Sequence, residues 1–263
     1  ALIELAPGSR AAMALTNNMF AAAPVRVCRE HRAQSHRARA WLINSGNANA
    51  GTGHGGVEAA RASCASVAEA LGCRADEVWP FSTGVIGEAL PLDRLTQAVP
   101  TAKSALHDNG WLDVAKAMMT TDSVPKGASR TFEIDGQSYS VTGIAKGAGM
   151  IRPDMATMLS FIATDAPLSQ DAVEQILSRA VDASFHCITV DGDTSTNDAV
   201  ALAATGQGEA IDVGSAGFRV CLSAIVDLCQ QLAQSLVRDG EGATKFVTVT
   251  VDDGSTALEN ARV

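Results

Sequence analysis

Asp135-Gly136 stands between two β-rich runs, residues 131–134 and 138–142. A tight type I′ turn needs positive φ at both central residues, and Asp-Gly meets that need at little steric cost. The pair commits the chain to an antiparallel hairpin and excludes an all-helical bundle. Further apolar runs bounded by turn residues predict strands at 40–43, 78–81, 160–163, 187–190, 199–204 and 246–251. Helical patterns lie between them, at 57–71, 111–119, 169–181 and 216–238. Gly72 occupies the position of a helix C′ residue, and Ser169 that of an N-cap. In the last helix Phe218, Cys221, Leu222, Ile225, Cys229, Leu232 and Leu236 recur every three or four residues, which is one helix face. Strands followed by helices, plus one hairpin, predict a mixed α/β sheet protein.

Composition decides what such a sheet is packed with and what it meets. Hydrophobic residues are 46% of 263, enough for a sizeable core, but aromatics are only 4%. The core is therefore expected to be mostly Ala, Val, Leu and Ile. The net charge of −9 argues against a nucleic-acid partner, which needs a basic face. No run approaches the ~18 apolar residues of a membrane span. Six cysteines, at 28, 64, 73, 187, 221 and 229, form no C-x-x-C pair and match no zinc spacing. They read as reduced core residues, and the first residues lack the order of a secretory leader, so a cytoplasmic location is expected.

Several chemical motifs fail on inspection. Residues 51–56 match G-x-G-x-x-G, but seven small or polar residues separate them from the preceding strand. A dinucleotide turn there has to be tight, so the stretch reads as a glycine-rich loop before a helix. Residues 191–198 resemble a calcium loop, yet Thr196 and Leu202 stand where Gly and Glu are required. They read as a structured polar loop lining a site. The five histidines form no i, i+4 ligand pair, and there is no G-x-S-x-G elbow. Neither a metal hydrolase nor a serine triad is supported.

The most distinctive stretch is residues 146–159, KGAGMIRPDMATML. It is glycine-rich, then interrupted by proline, then runs into a strand. Together with NSGNANA at 44–50, STGVIG at 82–87, MTTD at 119–122, the 190–198 loop and RDGEGATKF at 238–246, it resembles the ornithine acetyltransferase family, the bifunctional glutamate N-acetyltransferases of arginine biosynthesis. The six segments occur in family order along nearly the whole chain.

The resemblance implies a self-cleaving enzyme of layered sheets packed between helices. The cut falls between Ala156 and Thr157, giving an α chain of residues 1–156 and a β chain starting at 157. Thr157 becomes the nucleophile. A threonine hydroxyl needs a base, and a freed α-amino group, with an ordinary pKa of about 7.7–8.0, sits on the same residue. Thr83 and Gly84 match the oxyanion hole. Thr120 (or Thr121), Lys146, Thr157 and Glu241 match the substrate-binding residues. Lys146 would pair a substrate carboxylate and Glu241 an amine. The implied reaction moves acetyl from N2-acetylornithine to glutamate by a ping-pong route, with acetyl-CoA as a second donor in bifunctional members. It needs no metal or organic cofactor, and the processed chains assemble as α2β2 or larger.

Against the family pattern, this chain starts inside the usual N-terminal region. It also stops soon after Glu241, before a part expected to supply an Asn and a Ser or Thr to the pocket. Two other readings stay open on sequence alone. One is a related N-terminal-nucleophile aminopeptidase that transfers the acyl group to water. The other is an inactive, shortened family member.

Overall fold

A computed structural model describes residues 1–35, 37–152 and 158–251. In chain order its first half runs β1 (Leu2–Glu4), β2 (Arg10–Leu15), α1 (Ala23–Gln34), β3 (Ala40–Asn47), α2 (Gly53–Leu71), β4 (Val78–Val85), α3 (Leu92–Ser104) and α4 (Trp111–Ala117). Then come β5 (Lys126–Ile134), β6 (Gln137–Lys146), β7 (Leu159–Thr164), α5 (Gln170–Asp182), β8 (Ala199–Ala204) and α6 (Ala216–Arg238). The strands form two sheets, one of three strands in order β1-β3-β4 and one of five in order β2-β8-β7-β6-β5.

Alternating side chains along each strand build two faces per sheet. On the small sheet, Ala40, Leu42 and Val78 pack with Val27 of α1, Val57, Cys64 and Val67 of α2, and Val99 of α3. Trp41, Ile43, Trp79 and Phe81 point the other way and meet Met13, Ile144, Phe161 and Ala201 of the large sheet. The far face of the large sheet, with Val141, Ile162, Val200 and Leu202, packs with α5 and α6. The result is four layers, helix-sheet-sheet-helix, the layered arrangement that the resemblance implies.

The scarce aromatics are concentrated where strands offer little bulk. β8 turns Ala199, Ala201 and Ala203 toward the inter-sheet layer. Trp41, Trp79 and Phe161 fill that layer, each fully buried. Phe161 lies tilted 5.5 Å from Trp41 and edge-on 5.0 Å from Phe81, centroid to centroid. Such pairs add about 0.5–1.5 kcal/mol beyond their area.

The predicted hairpin is present: Ile134 pairs with Gln137, and Asp135 and Gly136 have φ of +50° and +79°. Ser169 caps α5 by accepting a hydrogen bond from the Ala172 N–H. Two β-α-β units, β3-α2-β4 and β7-α5-β8, give the parallel pairs. α6 is long and apolar enough to cross a membrane, yet Phe218, Cys221, Ile225, Leu228 and Leu232 bury its apolar face in the core. Residues 1–152 and 158–251 do not form separate bodies, because β7 and β8 stand between β2 and β6 in one sheet.

Four local expectations are corrected. Residues 187–190 are no strand. Cys187 ends a short 3-10 turn, and Thr189 and Val190 spend their polar groups on the Ile151 carbonyl instead. Residues 246–251 form no strand either, and Val247 and Val249 are largely exposed. The glycine-rich loop is shorter than expected, because Gly53 to Gly56 form the first turn of α2. Of the six free cysteines, Cys187 is exposed and Cys73 half-buried; only the other four are core. The sequence reading also missed α1 and α3. α3 carries Pro100 inside it, and an internal proline ordinarily marks the end of a helix.

Candidate active site

All six distinctive segments meet at one end of the two sheets, where β3, β4 and β6 finish and β7 and β8 begin. They line one cavity of about 680 Å3, with Gly46, Thr83, Thr120, Lys146, Asn197 and Glu241 each coming from a different segment. A larger groove of about 1060 Å3, beside the first seven residues and α4, contains none of them.

Lys146 is the last residue of β6 and is 3% exposed, so it is no solvated loop lysine. Its Nζ donates to Thr120 Oγ1 at 2.8 Å and to Thr83 Oγ1 at 3.1 Å. A hydroxyl that accepts from an ammonium keeps its own proton free to donate elsewhere. Both threonines line the cavity, so Lys146 turns two hydroxyls into donors available to a bound group. Burial pushes the Lys146 amine below its ordinary pKa, and the Asp122 carboxylate 3.8 Å away opposes that shift.

Asp122 organises this corner. Its Oδ1 accepts from the Gly147 N–H at 2.6 Å and from Lys126 Nζ at 2.7 Å, and its Oδ2 from the Thr120 N–H at 3.2 Å. Lys126 also donates to Asp239 Oδ2 at 2.6 Å. Burial raises the Asp122 carboxyl, but the Lys126 and Gly147 hydrogen bonds and both ammonium charges outweigh it and leave it below the usual range. A buried chain, Lys146-Asp122-Lys126-Asp239, thus links the threonine corner to the end of α6.

Glu241 follows that helix end. Its N–H donates to the Ala148 carbonyl at 2.6 Å, and its carboxylate lies against Gly149, where an added Cβ would come 3.1 Å from Cδ. Glu241 is exposed and Lys146 buried. The cavity is therefore anionic at its rim and cationic at its floor.

Thr83 and Gly84 lie in the last three residues of β4. Gly84 holds φ +130°, and an added Cβ would lie 2.3 Å from the Gly46 carbonyl carbon. Only glycine permits that approach of β3 and β4. Gly84→Ala is expected to lower stability to urea by about 2–4 kcal/mol, from combined strain and clash. Gly87→Ala is the control: φ is +87° but nothing among the described residues lies within 4 Å, so about 1–2 kcal/mol is expected. Equal losses would contradict the close-approach argument.

Two residues to which the sequence reading assigned no role stand out. Asn197 Nδ2 donates to the carbonyls of Ala48 at 2.7 Å and Ser82 at 3.0 Å, stitching the 190–198 loop to the ends of β3 and β4. Asp198 is 1% exposed, and its Oδ1 accepts from the Met158 N–H at 2.9 Å. Its Oδ2 is buried with no hydrogen-bond partner among the described residues, and burial pushes the carboxyl well above the usual range. The signal was present in sequence as two acidic residues bracketing a Ser-Thr-Asn run. Ala156 and Thr157 lie outside the described residues; Met158, the next residue, lines the cavity.

Comparison with known proteins follows the same pattern. The ArgJ family model matches residues 1–263. The arginine biosynthesis bifunctional protein ArgJ of Methylococcus capsulatus is 55% identical over 261 residues, 98% of this chain and 63% of that protein. The chain thus spans less than two thirds of that relative's length. A crystal structure of the arginine biosynthesis bifunctional protein argJ from Bacillus halodurans is similar with a TM-score of 0.51 and 31% identity, over 59% of this chain and 98% of that one. The ornithine acetyltransferase of Mycobacterium tuberculosis, solved in complex with ornithine, is similar with a TM-score of 0.50 and 34% identity, over 58% of this chain and 81% of that one. With six separated motifs gathered on one cavity and a family match from the first residue to the last, the chain belongs to the ArgJ family.

Proposed function

We propose that this chain carries the self-cleaving acetyl-transfer centre of an arginine-biosynthesis acetyltransferase, with Thr157 as nucleophile. The observation that carries the reading is the Lys146 ammonium holding Thr83 and Thr120 on a cavity that Met158 also lines. Lys146 pairs with Leu159 across β6 and β7, two residues beyond the proposed nucleophile.

In the proposed cycle the Thr157 hydroxyl attacks the acetyl carbonyl of N2-acetylornithine. The Thr157 α-amine takes the hydroxyl proton and returns it to the departing amine of ornithine. Thr83 and Gly84 face the tetrahedral oxygen. Glutamate's amine then attacks the acetyl-threonine ester, its proton passes through the same α-amine, and the hydroxyl is restored. Lys146 with Thr120 receives the amino acid's carboxylate, and Glu241 at the rim receives the side-chain ammonium of ornithine.

The test supplies N2-acetylornithine and glutamate to the purified protein. Equal amounts of free ornithine and N-acetylglutamate, with parallel double-reciprocal plots, are expected. Free acetate in place of N-acetylglutamate would establish the aminopeptidase-like hydrolase instead, and no turnover the inactive relic. Repeating the assay with acetyl-CoA as donor separates one acetyl source from two. Thr83→Ala removes one oxyanion donor, so kcat should fall about 10²–10³-fold. A kcat within twofold of the parent would remove Thr83 from that role.

A further inference from the structure

Both flanks of residues 153–157 are tied to one loop. Upstream, the Ile151 N–H donates to Asp191 Oδ1 at 2.9 Å, and the Met150 N–H donates to Asp191 Oδ2. The Ile151 carbonyl accepts from the Val190 N–H and from Thr189 Oγ1, both at 2.9 Å. Met150 itself holds φ +56°, a conformation that residues with side chains seldom adopt unless held there. Downstream, the Met158 N–H donates to Asp198 Oδ1 at 2.9 Å. The loop is anchored in turn, since the Thr16 N–H donates to the Asp198 carbonyl at 2.9 Å and Asn197 bonds the ends of β3 and β4.

From this geometry we infer that Asp191 and Asp198 are positioning residues for self-cleavage: they grip the backbone at Met150 and Ile151 upstream and at Met158 downstream of the proposed scissile bond, and so fix both ends of the span that contains it. The inference rests on the reading of Thr157 as the new N-terminus. It gives a purpose to a buried carboxyl that the transfer cycle leaves unused. Each acts through the backbone N–H groups it accepts.

The two carboxyls differ in a way that sets the test. Among the described residues Asp198 accepts a hydrogen bond on one oxygen only, and burial pushes its carboxyl well above the usual range. Asparagine reproduces that arrangement, with one carbonyl oxygen for the Met158 N–H. Asp191 uses both oxygens, so asparagine replaces only half of it.

The experiment follows the appearance of cleaved chains by intact mass after synthesis of the full chain, for the parent and for Asp198→Ala, Asp198→Asn, Asp191→Ala and Asp191→Asn. Circular dichroism confirms that each is folded. Misplacement of reacting groups by about an ångström costs up to about 10²-fold, so both alanine variants should cleave at least about tenfold more slowly. Asp198→Asn should return to within about threefold of the parent and Asp191→Asn should fall between. A merely space-filling role would not produce that ordering. Parental rates in folded Asp198→Ala, or Asp198→Asn as slow as Asp198→Ala, would overturn the inference while leaving Thr157 in place. Should Asp198→Ala fail to fold, the asparagine variant and the Asp191 pair decide the question. A parent that does not cleave overturns the Thr157 reading itself, and this inference with it.

Discussion

Thr157→Ala is expected to remain one uncleaved chain and to transfer no measurable acetyl group. The substitution removes the attacking hydroxyl, and without cleavage no α-amine is freed to act as base. Nucleophile and base are therefore lost together. Losses from removing a nucleophile in comparable acyl-transfer sites reach about 10⁶-fold in kcat, with a residual from the oxyanion hole and binding. A fall of at least about 10⁴-fold is expected here. Thr157→Ser keeps the hydroxyl and should cleave, though more slowly. Cleavage of Thr157→Ala at the same bond would remove Thr157 from the nucleophile role.

Lys126→Met should be the most destabilising single change near the site. The Lys126 side chain is 1% exposed and holds two carboxylates, Asp122 at 2.7 Å and Asp239 at 2.6 Å, themselves 0% and 9% exposed. Removing the shared cation takes the nearest positive charge from both, leaving Asp122 its N–H donors and Lys146 at 3.8 Å, and Asp239 the Ser123 N–H and hydroxyl, which costs up to about 3–5 kcal/mol. The pH dependence identifies the cause. Burial raises both carboxyls, but their hydrogen bonds with Lys126 and nearby donors leave both below the ordinary range. A carboxyl depressed in the folded state stabilises at pH above its unfolded value and loses that contribution as pH falls through its folded value. The parent should therefore lose stability below about pH 4. In Lys126→Met the stranded carboxylates take up protons at higher pH, which relieves the defect. The stability gap to the parent, measured by urea unfolding, should narrow between pH 7 and pH 4. A gap that stays constant across that range would show that lost packing, not stranded charge, is the cause.

How much of this was legible in sequence depended on how local the cause was. The Asp135-Gly136 hairpin, the Ser169 cap and α6 were readable because turn chemistry, capping and a seven-residue apolar stripe act within a few residues. The strand that residues 187–190 suggested was not, because its β-branched residues serve a contact with Ile151, some forty positions away. The layer order was likewise invisible. It depends on which face of Trp41 and Trp79 meets the alanines of β8, and alternation alone names two faces without saying what covers each.

The site divides the same way. Thr83, Gly84, Thr120, Lys146 and Glu241 came from motif resemblance, and the fold brings all of them to one cavity. Resemblance did not show that Lys146 holds two threonine hydroxyls at once, nor that Asp122 and Lys126 link it to Asp239. The Lys146 bonds to Thr120 and Thr83 reach across 26 and 63 residues and the Lys126 bond to Asp239 across 113, and no spacing rule reports them. Asp198 was quoted in a motif but given no task, since an orphaned carboxylate oxygen exists only once the chain around it is folded.

The central claim is that a new N-terminal threonine carries the acetyl group. Its most direct test is the intact mass of the protein under denaturing conditions, before and after exposure to N2-acetylornithine without glutamate. The expected result is two chains divided between Ala156 and Thr157, with one acetyl group added to the chain that begins at Thr157 and removed again when glutamate is supplied. An undivided chain, or two chains with no acetyl on the second, would contradict it.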